Sequence, residues 1–267
     1  MSTIKELINL NGRVSIVTGA TGHLGKVISE TLAELGSDLI LIDRPESDFS
    51  TTISDLKQRW AIEIQTYSCD FELPSQREEL ISSVVNSHEQ INCLVNNAAF
   101  VGISELNGWS VPFEQQTAET FSRALEVNLT AVFDLAKGFS NALRNSKGAN
   151  IINIGSIYGM YAPDWNLYEG TTMNNPAGYG SSKAGLLQLT RWLSTQLAPQ
   201  VRVNSISPGG IFRNQDKEFV KRYEAKTPLG RMATEEDLKG AIAYLATDLS
   251  KYVSGQNLPV EGGWGVM

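Results

Sequence analysis

"RVSIVTGATGHLGKVISETLAELGSDLILIDR", Arg13 to Arg44, decides the fold. It opens with a short β-branched run ending in glycine, which reads as a buried strand. Leu24, Val27, Ile28, Leu32 and Leu35 follow at helical spacing, and Gly36 stops the helix. "SDLILIDR" is a second apolar strand. Strands that are apolar throughout, separated by a helix, belong to a parallel sheet covered on both faces. The alternation continues through "IQTYSCDF", "INCLVNNAA", "GANIINIGS", "QVRVNSISPGG" and "GQNLPVEGG". The expected fold class is α/β: a doubly wound, mainly parallel sheet in a single domain over residues 1–267. No repeat, low-complexity tract or linker interrupts it.

Composition excludes several roles. A net charge of -7 and a pI near 5.0 argue against nucleic acid, which wants a basic field. No apolar run reaches the roughly 18 residues of a membrane span, and the N-terminus lacks a signal peptide's apolar region. A cytoplasmic protein with no membrane partner is expected. Cys69 and Cys93 read as reduced, buried thiols rather than a disulfide. No Cys/His cluster has metal-ligand spacing, so no metal site is expected.

Ligands of such sheets bind beyond the carboxyl ends of the strands. Those ends carry Thr18-Gly19, Asp43, Asp70, Asn96-Asn97, Gly155-Ser156 and Ser207-Pro208-Gly209. In "TGATGHLG", Gly19 and Gly22 permit a tight turn and Gly25 permits close helix–strand packing. The helix opening at His23 and Leu24 then offers free N–H groups to a pyrophosphate. Asp43 ends the second strand, 18 residues after Gly25. Its carboxylate can accept from the adenosine ribose and repel a 2′-phosphate, so NAD is expected over NADP. Arg44 complicates this, since it can stack on adenine or pair with a 2′-phosphate. Asp70, followed by Phe71, can accept from the adenine amino group or cap a helix. A cofactor half over roughly 1–150 and a catalytic and substrate half over 151–267 follow.

Tyr179 and Lys183 stand one helical turn apart in "YGSSK", on one face. With "TGATGHLG", "NNAA" (Asn96 to Ala99), Asn128 in "EVNLTAVF", Ser156 in "NIGSIYG" and "SPGGI", in that order along nearly the whole chain, the sequence resembles the short-chain dehydrogenase/reductase family of the single-domain type. The resemblance implies a Rossmann-type fold, a nicotinamide cofactor and a Ser–Tyr–Lys site assisted by Asn. Tyr179 would be the acid/base, its phenol lowered by Lys183 and the nicotinamide. Ser156 would hold the substrate oxygen. Lys183 would hold the nicotinamide ribose. Asn128 would support a water relay to Lys183, or mark a local helix distortion. Asn97, Ala98, Pro208, Gly209 and Ile211 would add cofactor contacts. A homodimer or homotetramer is expected, with "GQNLPVEGGWGVM" near an interface unless Trp264 packs on its own domain.

The departures carry information. His23 stands where the family usually has glycine, Ala99 replaces another, and Arg213 replaces a threonine after "SPGGI". Ser156 and Tyr179 are 23 residues apart, more than is usual, with "YAPDWNLYEGTTMNNPAG" between them. A second expansion, "FVGISELNGWSVPFEQQTAET", follows "NNAA". Both should lie over the substrate. Trp165, Tyr168, Asp164, Asn166, Glu169, Thr171, Thr172, Asn174 and Asn175, with Trp109, suit a small sugar-like substrate, or else form a polar surface loop. The cations of "FRNQDKEFVKRYEAKTPLGR" can meet a substrate anion or simply be solvated. The stretches "GSIYGMYAPDWNLYEGT" and "NNPAGYGSSKAGL" look similar to family members of bacterial surface-polysaccharide and nonulosonic acid pathways. The alternatives are a 3-oxoacyl-(acyl carrier protein) reductase-like enzyme and a non-catalytic dinucleotide-sensing protein.

Overall fold

The computed structural model describes residues 1–100 and 106–266. Residues 101–105, part of the second expansion, and the terminal Met267 lie outside the described residues. Seven strands form one sheet: β1 (Val14–Thr18), β2 (Asp38–Asp43), β3 (Ile64–Ser68), β4 (Cys93–Asn96), β5 (Asn150–Ile154), β6 (Arg202–Pro208) and β7 (Asn257–Val260). Their order is β3-β2-β1-β4-β5-β6-β7, and every pairing among them is parallel. The chain winds outward from β1 to one edge, then from β4 to the other. The reversal between β1 and β4 opens a crevice at the carboxyl ends.

Eight helices beside the sheet matter here: α1 (His23–Glu34), α2 (Ser50–Arg59), α3 (Pro74–Ser87), α4 (Ala118–Leu125), α5 (Ala131–Gly138), α6 (Ala177–Gln196), α7 (Lys217–Lys226) and α8 (Lys239–Ala246). Alternate strand residues serve opposite faces. Ile16, Ile40, Leu94 and Ile151 pack with Leu80 of α3, Leu135 of α5 and Leu193 of α6. Val17, Leu41, Val95 and Ile152 pack with Ile28 and Leu32 of α1 and Ile242 of α8. A third apolar cluster, Ile157, Leu167, Phe219, Tyr223, Met232 and Trp264, lies under the insert. Trp264 thus packs on its own domain, stacked on Tyr223 at 6.0 Å.

The glycine loop is built by close approach. Gly19 has φ +64°, and a Cβ there would meet the Ala98 Cα at 2.9 Å. A Cβ on Gly25 would lie 2.0 Å from the Gly19 carbonyl oxygen. Backbone cannot yield that far without moving α1 off the sheet. Gly25→Ala is therefore expected to destabilise the fold by about 2 kcal/mol or more, read as a lower urea midpoint.

Candidate active site

The glycine loop is held from both neighbouring strands. Asn97 donates from Nδ2 to the carbonyls of Thr18 (2.9 Å) and Gly19 (3.1 Å). The N–H groups of Asn97 and Ala98 both donate to Thr18 Oγ1 at 3.0 Å. Asp43 Oδ2 accepts from the Thr21 N–H (2.8 Å) and hydroxyl (2.7 Å), and Oδ1 from the Arg44 N–H (2.9 Å). The carboxylate at the end of β2 therefore shapes the loop as well as facing the crevice. Gly22 is the N-cap of α1; among the described residues no side chain caps this end, and its first turn carries no acid. Exposed His23 opens the helix, with Leu24 partly packed behind it. A tight loop, an uncapped helix N-terminus and a carboxylate at the end of β2 fit a dinucleotide.

Two expected contacts change character. Phe71 puts its side chain in the core, so only its backbone remains for a ligand. Asp70 is not the N-cap of α3, a position held by Leu73; its Oδ1 accepts from the Glu72 N–H at 3.0 Å. Arg44 pairs with Glu46 at 3.1 Å on the exposed rim.

Ser156, Tyr179 and Lys183 come together where β5 ends against α6. Ser156 caps the turn Ile157–Gly159, its Oγ accepting from the Tyr158 N–H at 3.1 Å. That turn lies directly on α6: a Cβ on Gly159 would be 2.8 Å from the Lys183 carbonyl carbon. A buried polar chain adds register. Asn96 Nδ2 donates to Asn153 Oδ1 and Asn153 Nδ2 to Thr190 Oγ1, both at 2.8 Å, tying β4 and β5 to α6.

Burial raises the Tyr179 phenol, while a hydrogen bond from Ser156 and the Arg213 charge act in the opposite sense. Lys183, the expected partner of the phenol, lies beside its ring. The ammonium donates to the Ile154 carbonyl at 2.7 Å and sits 5.8 Å from the centre of the Tyr179 ring. Lys183 is only 3% exposed, and burial lowers its pKa to about 8. Arg213, which replaces the family threonine, pairs through its guanidinium with Glu235 at 3.1 Å.

Asn128 occupies a π-helical segment, Glu126–Thr130, between α4 and α5. Its Oδ1 accepts from the Phe100 N–H (2.6 Å) and its Nδ2 donates to Ser182 Oγ (2.9 Å). The helix distortion is present, and the side chain bonds Ser182 on α6. Beyond β6, the Gly209 N–H donates to Val260 (2.9 Å), the Gly210 N–H to the Tyr223 hydroxyl (2.6 Å), and Ile211 bridges Ala233. These contacts shape the loop that follows Pro208.

A cavity of about 510 Å³ opens from Ser156 and Tyr179 to the insert, lined also by Tyr158, Tyr168, Asn174 and Asn175. The insert lies over this side, as its spacing suggested. Trp109 lines the cavity too, whereas Trp165 is 59% exposed and does not. Two cations of α7 hold the insert in place. Lys226 pairs with Asp164 at 2.8 Å, and Arg222 donates to the carbonyls of Asn166 and Glu169. Sequence reading missed Tyr158, Phe219, Tyr223 and Met232 as cavity walls. The i,i+4 spacing of Phe219 and Tyr223 was the available signal, and nothing local marked Met232.

The architecture defines a dinucleotide-type α/β enzyme, and the relatives agree. A family profile described as Enoyl-(Acyl carrier protein) reductase matches residues 19–265. The chain is 29% identical to Post-translational flagellin modification protein A of Campylobacter coli, over 96% of this chain and 100% of that one. It is 27% identical to NADP-dependent mannitol dehydrogenase of Alternaria alternata (98% and 95%). It is 32% identical to the 3-oxoacyl-[acyl-carrier-protein] reductase of Rickettsia felis (96% and 98%). The NAD+-bound short chain dehydrogenase of Leptospira borgpetersenii superposes with a TM-score of 0.82 at 31% identity, covering 99% and 96%. The chain belongs to the short-chain dehydrogenase/reductase family and is an NAD(P)-dependent oxidoreductase by class.

Lys183 titrates near 8 folded against an ordinary 10.5, so between these values the unfolded chain binds more protons and stability rises with pH. Below pH 8 the charged form costs on the order of 3 kcal/mol. Lys183→Met removes that cost. Its Tm at pH 7 is expected to exceed that of the parent by about 2–6 °C, with the gap narrowing from pH 8 to pH 10, while turnover is lost. An unchanged Tm would mean the ammonium is not penalised.

Proposed function

We propose that the enzyme transfers a hydride between a nicotinamide and a hydroxyl or ketone of a small, polar, sugar-like substrate. The observation that carries this is the cavity that begins at Ser156 and Tyr179 and ends on phenols and amides of the insert. The mannitol dehydrogenase relative supports it. The flagellin modification relative lends only a loose link to surface polysaccharides. A 3-oxoacyl-(acyl carrier protein) reductase-like activity is the second reading, favoured by the Rickettsia felis relative. An acyl chain would have to lie against the hydroxyls and amides of this wall.

In this reading Gly19, Gly22, Gly25 and the N–H groups of His23 and Leu24 hold the pyrophosphate. Asp43 holds the adenosine ribose. Asp70 and the Phe71 backbone border the adenine. Asn97 and Ala98 set the loop, and Pro208, Gly209 and Ile211 border the nicotinamide. The nicotinamide, when bound, supplies or accepts the hydride. Ser156 Oγ steadies the substrate oxygen, and Tyr179 Oη gives or takes its proton. Lys183 exchanges the Ile154 carbonyl for the nicotinamide ribose, and its charge then favours the phenolate. Asn128 positions α6 through Ser182. NAD is preferred, because a 2′-phosphate would meet Asp43. Residues up to roughly 150 form the cofactor half and 151–267 the substrate half. The free, buried Cys69 and Cys93 support a reducing, cytoplasmic setting, and a homodimer or homotetramer follows the family habit.

Tyr179→Phe is expected to lower kcat at least about 100-fold with dinucleotide affinity retained, checked by nicotinamide absorbance and calorimetry. Full turnover in this variant would overturn the mechanism. Asp43→Ser is expected to shift the NADP/NAD ratio of kcat/KM upward by about tenfold or more, at one removed charge repulsion. An unchanged ratio would remove Asp43 from cofactor choice.

A further inference from the structure

The wall opposite Ser156 holds a hydrogen-bond set that the redox step does not use. The Tyr158 and Tyr168 hydroxyls are 2.6 Å apart, and Asn175 Nδ2 donates to the Tyr168 hydroxyl oxygen at 3.0 Å. All three residues line the cavity. Asn175 is buried, and both phenols are partly buried.

Two phenols carry two protons, and one hydrogen bond between them uses one. If Tyr158 donates, Tyr168 accepts twice and its own proton is left over. If Tyr168 donates, the Tyr158 proton is left over. The Asn175 amide also meets the Tyr158 hydroxyl, but in the sense that lowers that phenol, as a donor, so among the described residues no acceptor takes the remaining proton in either arrangement. Burial raises both phenols, so both protons are kept across the working pH range. The Asn175 amide oxygen likewise has no donor among the described residues. One spare donor and one spare acceptor, side by side in a cavity, match an alcohol group, which needs both.

The set is chained to the reacting end. Tyr158 follows Ser156 by two residues and donates its N–H to the Ser156 hydroxyl. It is also braced from behind, since Tyr168 packs on Phe219 at 5.3 Å and the insert is pinned to α7 by Lys226–Asp164. A braced polar pair discriminates, because a substrate lacking the matching group leaves it unpaired.

We propose that Tyr158, Tyr168 and Asn175 form a hydroxyl-reading subsite that selects polyhydroxylated substrates, open-chain polyols and their ketoses, by a hydroxyl remote from the reacting carbon. This rests on the oxidoreductase reading above. A plain alkyl or acyl chain finds no partner there.

The test compares mannitol and xylitol with 2-hexanol and 2-pentanol, which match them in carbon number. Full-chain enzyme is assayed with NAD and with NADP, and binding of each compound to the dinucleotide-loaded enzyme is followed by calorimetry. The polyols are expected to exceed the plain alcohols at least about 100-fold in kcat/KM. Tyr168→Phe is expected to lower polyol kcat/KM about 10–100-fold, mostly through KM, and to affect the plain alcohols far less. Tyr158→Phe is expected to cost less than Tyr168→Phe, because Tyr168 then keeps its proton and its Asn175 bond. It also guards against a folding defect in the other variant. Retained dinucleotide binding shows that each variant is folded.

Turnover of plain alcohols alone, abolished in Tyr179→Phe, would overturn the subsite and leave the oxidoreductase reading standing. Polyol binding lost in Tyr168→Phe, without redox turnover in the parent, would support the subsite and sink that reading. Absence of polyol binding and turnover, or equal losses for both substrate classes in Tyr168→Phe, would overturn the proposal.

Discussion

A buried ammonium held by one carbonyl sets the terms for the catalytic half. Lys183 is taken out of water against the Ile154 carbonyl. Burying a charge is costly unless it is paired or hydrogen-bonded, and here the cost shows as a lowered pKa. The packing around the ammonium fixes its position. The Gly159 turn lies on the α6 backbone, the Asn153–Thr190 bond ties α6 to β5, and Asn128 bonds Ser182 on the same helix. The same contacts place Ser156 and Tyr179. The charge penalty on Lys183 and the geometry of the site are therefore two consequences of one packing arrangement, and a partner that takes the ammonium from Ile154 acts on both.

The cofactor side is organised by backbone approach rather than by buried charge. Gly25 lets α1 lie on the Gly19 carbonyl, and Asn97 and Thr18 fasten the loop to β4. Asp43 joins this set through Thr21. The carboxylate at the end of β2 is thus part of the loop's own geometry.

The substrate side depends on a third element, the long insert after Ser156. Its polar residues do not make a free surface loop. Leu167 and Tyr168 pack with Phe219 and Tyr223, and the cations of α7 bind its carboxylate and carbonyls. Arg222 and Lys226 are thereby committed to the insert. What faces the cavity instead is a neutral, hydrogen-bonding wall.

Much was legible from the chain alone, because it depends on local pattern. Apolar runs and helical spacing specify strands and helices directly, glycines mark close approaches, and the order of short motifs marks the family. The i,i+4 placement of Tyr179 and Lys183 is a property of any helix. What the ammonium touches is not: Ile154 lies 29 positions away and meets Lys183 only once β5 and α6 pack. The same holds for Phe71, which packs in a core cluster with residues of β2 and α3, and for Arg213, whose charge acts on Tyr179 although the two are far apart along the chain. The pairing of Tyr158 with Tyr168 likewise arises from the way the insert folds over the turn. The sequence by itself determined the elements, their order and the chemistry available. Only the tertiary structure decided which groups share a hydrogen bond, because direction and burial of a side chain depend on contacts between segments that are distant along the chain.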